Sequence, residues 1–129
     1  MKPRVLVVED EPDILGVVTS TLNKHEFDAV GAGEGELGWK MAAKVRPDVI
    51  ILDVLLPDLD GLSLCEMFRR NPATASTPIL MLTACATPQI REIAENAGAS
   101  GFLTKPFTLR ELVRHVRELA SGAPMSAEA

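Results

Sequence analysis

The sequence predicts an α/β domain: a doubly wound parallel sheet of five strands alternating with five helices. Three observations lead there. Five short apolar runs, RVLVV, DAVGA, DVIILD, PILMLT and GFLT, recur along the chain between turn residues. They are mostly continuous rather than alternating, as in strands covered on both faces. The segments between them carry apolar residues at helical spacing, and short connections with right-handed crossovers leave few ways to wind such a chain.

Each element has its own justification. After RVLVV, Pro12 opens a helix at a position where its missing N–H costs nothing, and Ile14, Leu15, Val18 and Leu22 form one stripe. DAVGA is the weakest of the runs. The helix after it carries the stripe Leu37, Met41 and Val45, which leaves Trp39 off the stripe with a partly exposed ring. DVIILD is followed by a shorter helix built on Leu64, Cys65 and Phe68, with Arg69-Arg70 expected as a solvated helix end. PILMLT leads to a helix opened by Pro88 and striped by Ile90, Ile93, Ala94 and Ala97. GFLT precedes the clearest helix, with Leu109, Leu112, Val113, Val116 and Leu119 on one face. These elements make one domain over residues 1–121, and the small polar stretch 122–129 is expected to be a flexible tail.

Composition narrows the function. The 129 residues suffice for one core, with 47% hydrophobic and 24% charged residues and a net charge of −5. A mild acidic balance without basic runs argues against direct binding to nucleic acid. No stretch approaches the roughly 20 apolar residues that span a membrane. The N-terminal MKPR runs into VLVV without the pattern of a signal peptide, so a cytoplasmic protein is expected. Cys65 and Cys85 lack CxxC spacing and are expected as reduced, semi-buried thiols.

The segment VIILDVLLPDLDG ends an apolar run with a single carboxylate, Asp53. Burying an unpaired charge is costly, so partners must await it. In open parallel sheets ligands collect at the carboxyl ends of the strands. The residues ending the runs are Glu9, Asp10 and Glu11 on the first, Asp53 on the third, Thr83 on the fourth, and Thr104 and Lys105 on the fifth. Brought together, they make a site for a hard cation and a phosphoryl group. Clustered carboxylates need a cation to neutralise them, and Mg²⁺ prefers oxygen ligands with one or two carboxylates plus phosphate oxygens. Asp53 is the best-placed nucleophile for an acyl phosphate; Lys105 supplies a point charge and Thr83 a hydroxyl donor.

The segments VLVVEDEPDI, PDVIILDVLLPDLDG, PILMLTA and GFLTKPF, in this order over residues 4 to about 120, resemble the hallmarks of the receiver domain of two-component response regulators. That resemblance implies a flavodoxin-like, CheY-like sheet in order 2-1-3-4-5, with the first and last helices on one face and the other three on the opposite face. It implies Asp53 as acceptor of a phosphoryl group from a histidine of a sensor kinase or phosphotransfer protein. Mg²⁺ would be held by Asp10, Asp53 and the backbone carbonyl of Leu55, with Glu9 assisting through water. Lys105 would pair with Asp53 or its phosphate, beside a cis Lys105-Pro106 bond. Thr83 and Phe102 would be a switch pair acting on the surface of the fourth helix, fifth strand and fifth helix. There a downstream effector or a linked output domain would be engaged. Enzymatic activity would be limited to weak self-phosphorylation and autodephosphorylation. The alternative keeps the fold without the chemistry, as a non-phosphorylated protein-interaction module. Ser100 and Gly101 stand where many relatives carry acids, which weighs against pairing of two receivers through that face, and Phe102 replaces the commoner tyrosine.

Other motifs carry less. With Gly61 at the sixth position of an EF-hand loop, the first and twelfth ligands fall on Leu56 and Met67, so calcium by that route fails, and Asp58, Asp60 and Gly61 serve as turn and helix start. GAGEGELG follows the second run and has Glu36 where the third glycine of a dinucleotide loop belongs. His25 and His115 are expected at the surface.

Overall fold

The computed structural model describes residues 1–122, so all of the expected tail except Gly122 lies outside the described residues. The elements are β1 (Arg4–Val8), α1 (Pro12–Lys24), β2 (Asp28–Ala32), α2 (Gly35–Val45), β3 (Val49–Asp53), α3 (Gly61–Arg70), β4 (Ile79–Thr83), α4 (Pro88–Asn96), β5 (Gly101–Thr104) and α5 (Leu109–Ala120). All strand pairs are parallel and the order is β2-β1-β3-β4-β5. The strands match the five apolar runs to within a residue.

Residue alternation along the strands divides the core in two. Val5, Val7, Val49, Ile51, Leu80, Leu82 and Leu103 face α1 and α5, where Val18, Leu22, Leu112, Val113 and Val116 meet them. Leu6, Val8, Ile50, Leu52, Ile79 and Met81 face the other way, against Ala42, Leu64, Phe68 and Ala94 of α2, α3 and α4. Double cover explains why the central runs are apolar throughout: β3 and β4 are buried at every position. β2, the weakest run, is an edge strand that pairs only with β1.

Three expectations are corrected. The buried face of α2 is Gly35, Gly38 and Ala42, and Leu37 is 44% exposed. Gly38 sets this rotation, because a Cβ there would lie 2.7 Å from Val8 Cγ2; the helix packs closely on the sheet through its smallest residues. Trp39 consequently packs with its ring centroid 5.4 Å from that of Phe68. Ile93, assigned to the buried stripe of α4, is exposed, since Ala94 is what contacts the core.

The third correction concerns Arg69. Its guanidinium donates to the carbonyls of Gly98 (2.9 Å), Thr74 (3.2 Å) and Thr77 (2.6 Å) and to Ser100 Oγ (3.2 Å). A planar fork of five donors suits the job of gathering the carbonyls of two loops. Arg70 alone is the solvated end. Ser100 also accepts from Ile79 N at 3.0 Å, so this residue closes the start of β4. The thiols divide as well: Cys65 is buried and Cys85 exposed, both free.

Candidate functional site

Glu9, Asp53 and Lys105 reach the carboxyl edge of the sheet from three elements, yet they occupy one place. Continuing the strand alternation by a residue puts all three on the α1/α5 side, where Val7, Ile51 and Leu103 also point. Lys105 Nζ lies 2.7 Å from Glu9 Oε1 and 3.0 Å from Asp53 Oδ2. The backbone holds this convergence: Glu9 N donates to Ala32 O at 3.0 Å, Val54 N to Leu82 O at 2.9 Å, and Lys105 N to Thr83 O at 2.7 Å. The Lys105-Pro106 peptide is cis, as the resemblance implied.

The partners that Asp53 needs are therefore present. Asp53 is 4% exposed, with Oδ2 held by Lys105 and Oδ1 accepting from Leu55 N at 3.0 Å. Glu9 is fully buried, and its second oxygen accepts from Glu11 N at 3.1 Å. Burial drives the pKa of Glu9 up from 4.5 to about 7; the hydrogen bonds from Lys105 and Glu11 N–H offset part of that rise, and neighbouring Asp53 adds to it. For Lys105 burial favours the neutral amine, but the hydrogen bonds and charges of Glu9 and Asp53 outweigh it and hold the pKa above its ordinary value. Lys105 is thus a permanent cation facing more than one acid.

Asp10 completes the cluster. Carboxylate oxygens of Glu9, Asp10 and Asp53 lie within 4.8 Å of one another, and Asp10 is exposed while the other two are buried. Three acids share one ammonium, and the donor set is all oxygen. That suits a small hard divalent cation entering from the solvent side. The residues fit Mg²⁺.

The loop from β3 to α3 is pinned at both ends. Asp60 caps α3 by accepting from Leu62 N at 3.2 Å, and Gly61 N donates to Val54 O at 2.9 Å. A Cβ on Gly61 would collide with the backbone oxygen of Asp53, so only glycine lets α3 begin so close to that residue. In the same loop, Asp58 Oδ1 accepts from Gly35 N at 2.8 Å and Oδ2 from Glu36 N at 2.9 Å. These two backbone bonds at the start of α2 hold the Asp58 carboxyl below its ordinary pKa. Asp58 is thus the cap of a helix 22 residues upstream. Its expected turn role missed this, and the only signal in the sequence was that α2 lacks a capping side chain of its own.

Thr83 and Phe102 lie on the other side of the sheet. Thr83 is 2% exposed. Its hydroxyl donates to Cys85 O at 3.2 Å and accepts from Cys85 N at 3.0 Å, closing a small turn. Phe102 pairs in register with Met81, two residues before the β5 partner of Thr83, so the two side chains are diagonal neighbours. The ring is half-buried beneath the Arg91 guanidinium, 5.1 Å from its centroid. His25, just past the end of α1, is exposed and His115 of α5 half-buried, each with Nδ1 2.8 Å from a carbonyl four residues back and outside the acid cluster.

A doubly wound sheet with acids and a lysine converging at its carboxyl edge defines a signalling module of the CheY-like class. The chain belongs to the response regulator receiver domain family, whose model matches residues 5–117. It is 38% identical over 117 residues to the DNA-binding dual master transcriptional regulator RpaA of Synechocystis, covering 91% of this chain and 48% of that protein. The chain therefore spans about half or less of the length of the curated relatives it matches. Among solved structures it resembles Vibrio cholerae chemotaxis protein CheY4, with a TM-score of 0.89, 32% identity, and 92% of this chain and 99% of that one covered. It also resembles the receiver domain of sensor histidine kinase PA1611 from Pseudomonas aeruginosa, solved with a magnesium ion coordinated in its active-site cleft. There the TM-score is 0.86 with 30% identity, over 94% of this chain and 99% of that one. The family is one of phosphoacceptor modules in two-component signalling, not a family of metabolic enzymes. Among the described residues no helix is long and apolar enough to cross a membrane.

Proposed function

We propose that Asp53 accepts a phosphoryl group from a phosphohistidine of a sensor kinase or histidine phosphotransfer protein. A carboxylate oxygen of Asp53 attacks phosphorus in line, the P–N bond to the donor imidazole breaks, and the electron pair leaves with the imidazole. Asp10, Asp53 and the Leu55 carbonyl would hold Mg²⁺, with Glu9 assisting through water, and the ion would supply neutralisation of the charge on the transferring group. Lys105 already bridges Glu9 and Asp53, and exchanges its Asp53 contact for a phosphoryl oxygen. The observation that supports this most is the buried Glu9–Lys105–Asp53 arrangement, with exposed Asp10 beside it.

The signal is a shift in populations. Phosphorylation adds a charge of about −1.5 to −2 and new acceptor oxygens. The Thr83 hydroxyl, engaged by Cys85, exchanges that turn for the phosphoryl group, and the loop it leaves is continuous with α4. Phe102 then turns inward behind it, releasing Arg91 and remodelling the α4-β5-α5 surface for an effector protein or a linked output domain. The working unit is residues 1–121, in the cytoplasm, without direct contact to nucleic acid or membrane. Self-phosphorylation from small donors and autodephosphorylation are its only catalysis.

The test is incubation with acetyl phosphate and Mg²⁺, read by intact mass. One phosphoryl group should be added, absent with Asp53→Asn and absent in chelator. A wild-type protein that takes up no phosphoryl group with Mg²⁺ present sinks the reading and leaves a non-phosphorylated interaction module in its place.

A further inference from the structure

Away from the strand tips, a second surface has a charge pattern that the phosphoryl site does not use. The C-terminal end of α1 and the outer side of α5 enclose a groove of about 710 Å³ lined by Thr21, Lys24, Val113 and Arg117, with Leu109 and Arg110 at one end and Glu118 toward the other. Thr21 and Val113 form a buried floor, and Leu109 is 44% exposed. Around that floor stand Lys24, Arg110, Arg114 and Arg117, four of the 13 lysines and arginines of a chain whose net charge is −5.

Some of this charge has a local explanation. Lys24 in the last turn of α1 complements the helix dipole, and Arg114 pairs with Glu118 at 3.3 Å. Arg117 complements the helix dipole in the last turn of α5 and lies 5.9 Å from the Phe27 ring centroid; Arg110 has no such explanation. Among the described residues neither forms an ion pair, and Lys24 forms none either. Arg110 sits in the first turn of α5, where a cation opposes the helix dipole. Glu118 Oε2, in the same groove, is buried without a hydrogen-bond partner. An apolar floor and a cationic rim together describe a docking groove.

From this we infer that the α1/α5 groove binds an acidic amphipathic helix of a partner protein. The occupant follows from charge complementarity and shape. The rim selects carboxylates, and the floor of Thr21, Val113 and Leu109 selects an apolar stripe, which a purely polyanionic ligand lacks. Along α5 the groove runs from Leu109 to Glu118, about 14 Å at the helical rise, enough to seat between two and three turns of a docked helix. The rim charges also suppress pairing of two copies face to face through this groove, because like charges would oppose one another.

The probe is a synthetic helical peptide with leucines at i, i+4 and i+7 and glutamates at the flanking positions, titrated into ¹⁵N-labelled protein. Saturable shifts are expected at the amides of Thr21, Lys24, Val113 and Arg117. The Lys24→Glu/Arg110→Glu double variant, with both changes on exposed side chains, should weaken binding about tenfold or more, and raised salt should weaken the wild type. A peptide with lysine in place of glutamate should not bind. Asp53→Asn should bind as wild type does, which separates this groove from the phosphoryl chemistry. The inference is overturned by shifts that do not saturate or fall elsewhere, by equal affinity in the double variant with its fold intact by circular dichroism, by inorganic polyphosphate binding where the peptide does not, or by self-association that moves the same amides without peptide.

Discussion

Glu9 makes the stability of this domain depend on pH in a direction opposite to that of most carboxylates. Its carboxyl ionises near 4.5 when exposed and near 7 in the buried site. The folded state therefore binds more protons than the unfolded state between these values. The contribution of the protonated group is fully present below pH 4.5 and is lost as pH rises toward about 7, after which it levels off. At about 1.4 kcal/mol per pH unit the window corresponds to about 3 kcal/mol. The perturbation is Glu9→Gln, which cannot titrate and keeps a side-chain oxygen for Lys105. Urea unfolding of both proteins in chelator, across and above this window, should show wild type losing about 3 kcal/mol relative to the variant as pH rises. Mg²⁺ should restore much of that loss in the wild type, because a bound cation favours the ionised carboxylate. Parallel curves for the two proteins without metal would refute the reasoning, since they would mean that the buried acid is not what titrates.

Three further substitutions test how the site is held. Gly61→Ala places a methyl against the Asp53 backbone and should cost about 2–4 kcal/mol by chemical denaturation, with shifted amide resonances at Asp53 and Leu55. Arg69→Met removes the donors from the Gly98, Thr74 and Thr77 carbonyls and should cost about 2–4 kcal/mol, whereas exposed Arg70→Ala should change stability by less than about 0.5 kcal/mol; equal effects in thermal melts would contradict the assignment of Arg69. Thr108→Ala breaks the capping box with Glu111 and should cost about 1 kcal/mol, read by urea unfolding and by faster hydrogen exchange in the first turn of α5.

Much of this molecule could be read from local sequence because its sheet is covered on both faces. Continuous apolar runs mark such strands directly, and the five runs are the five strands. Since every strand is parallel, every run also ends at the same edge of the sheet. Reading the residue after each run was therefore enough to list Glu9, Asp53, Thr83 and Lys105 together. Helix stripes were legible where packing uses large side chains, as in α1, α3 and most of α5. They misled where packing uses small ones: Gly38 and Ala42 in α2 and Ala94 in α4 carry little hydrophobic signal yet make the close contacts, leaving Leu37 and Ile93 outside.

By itself the sequence determined which elements form, which edge gathers the polar chemistry, and which acid stands alone there. Only the tertiary structure decided how those groups share partners. Lys105 divides itself between Glu9 and Asp53, the Thr83 hydroxyl is engaged by Cys85, Asp58 caps α2, and Arg69 ties two loops together. The physical reason is the nature of the partners. Apart from the shared ammonium and the Arg69–Ser100 bond, these contacts end on backbone N–H and C=O groups, which every residue type but proline presents alike, so side-chain identity carries no record of which will be left unpaired at the end of a helix or in a loop.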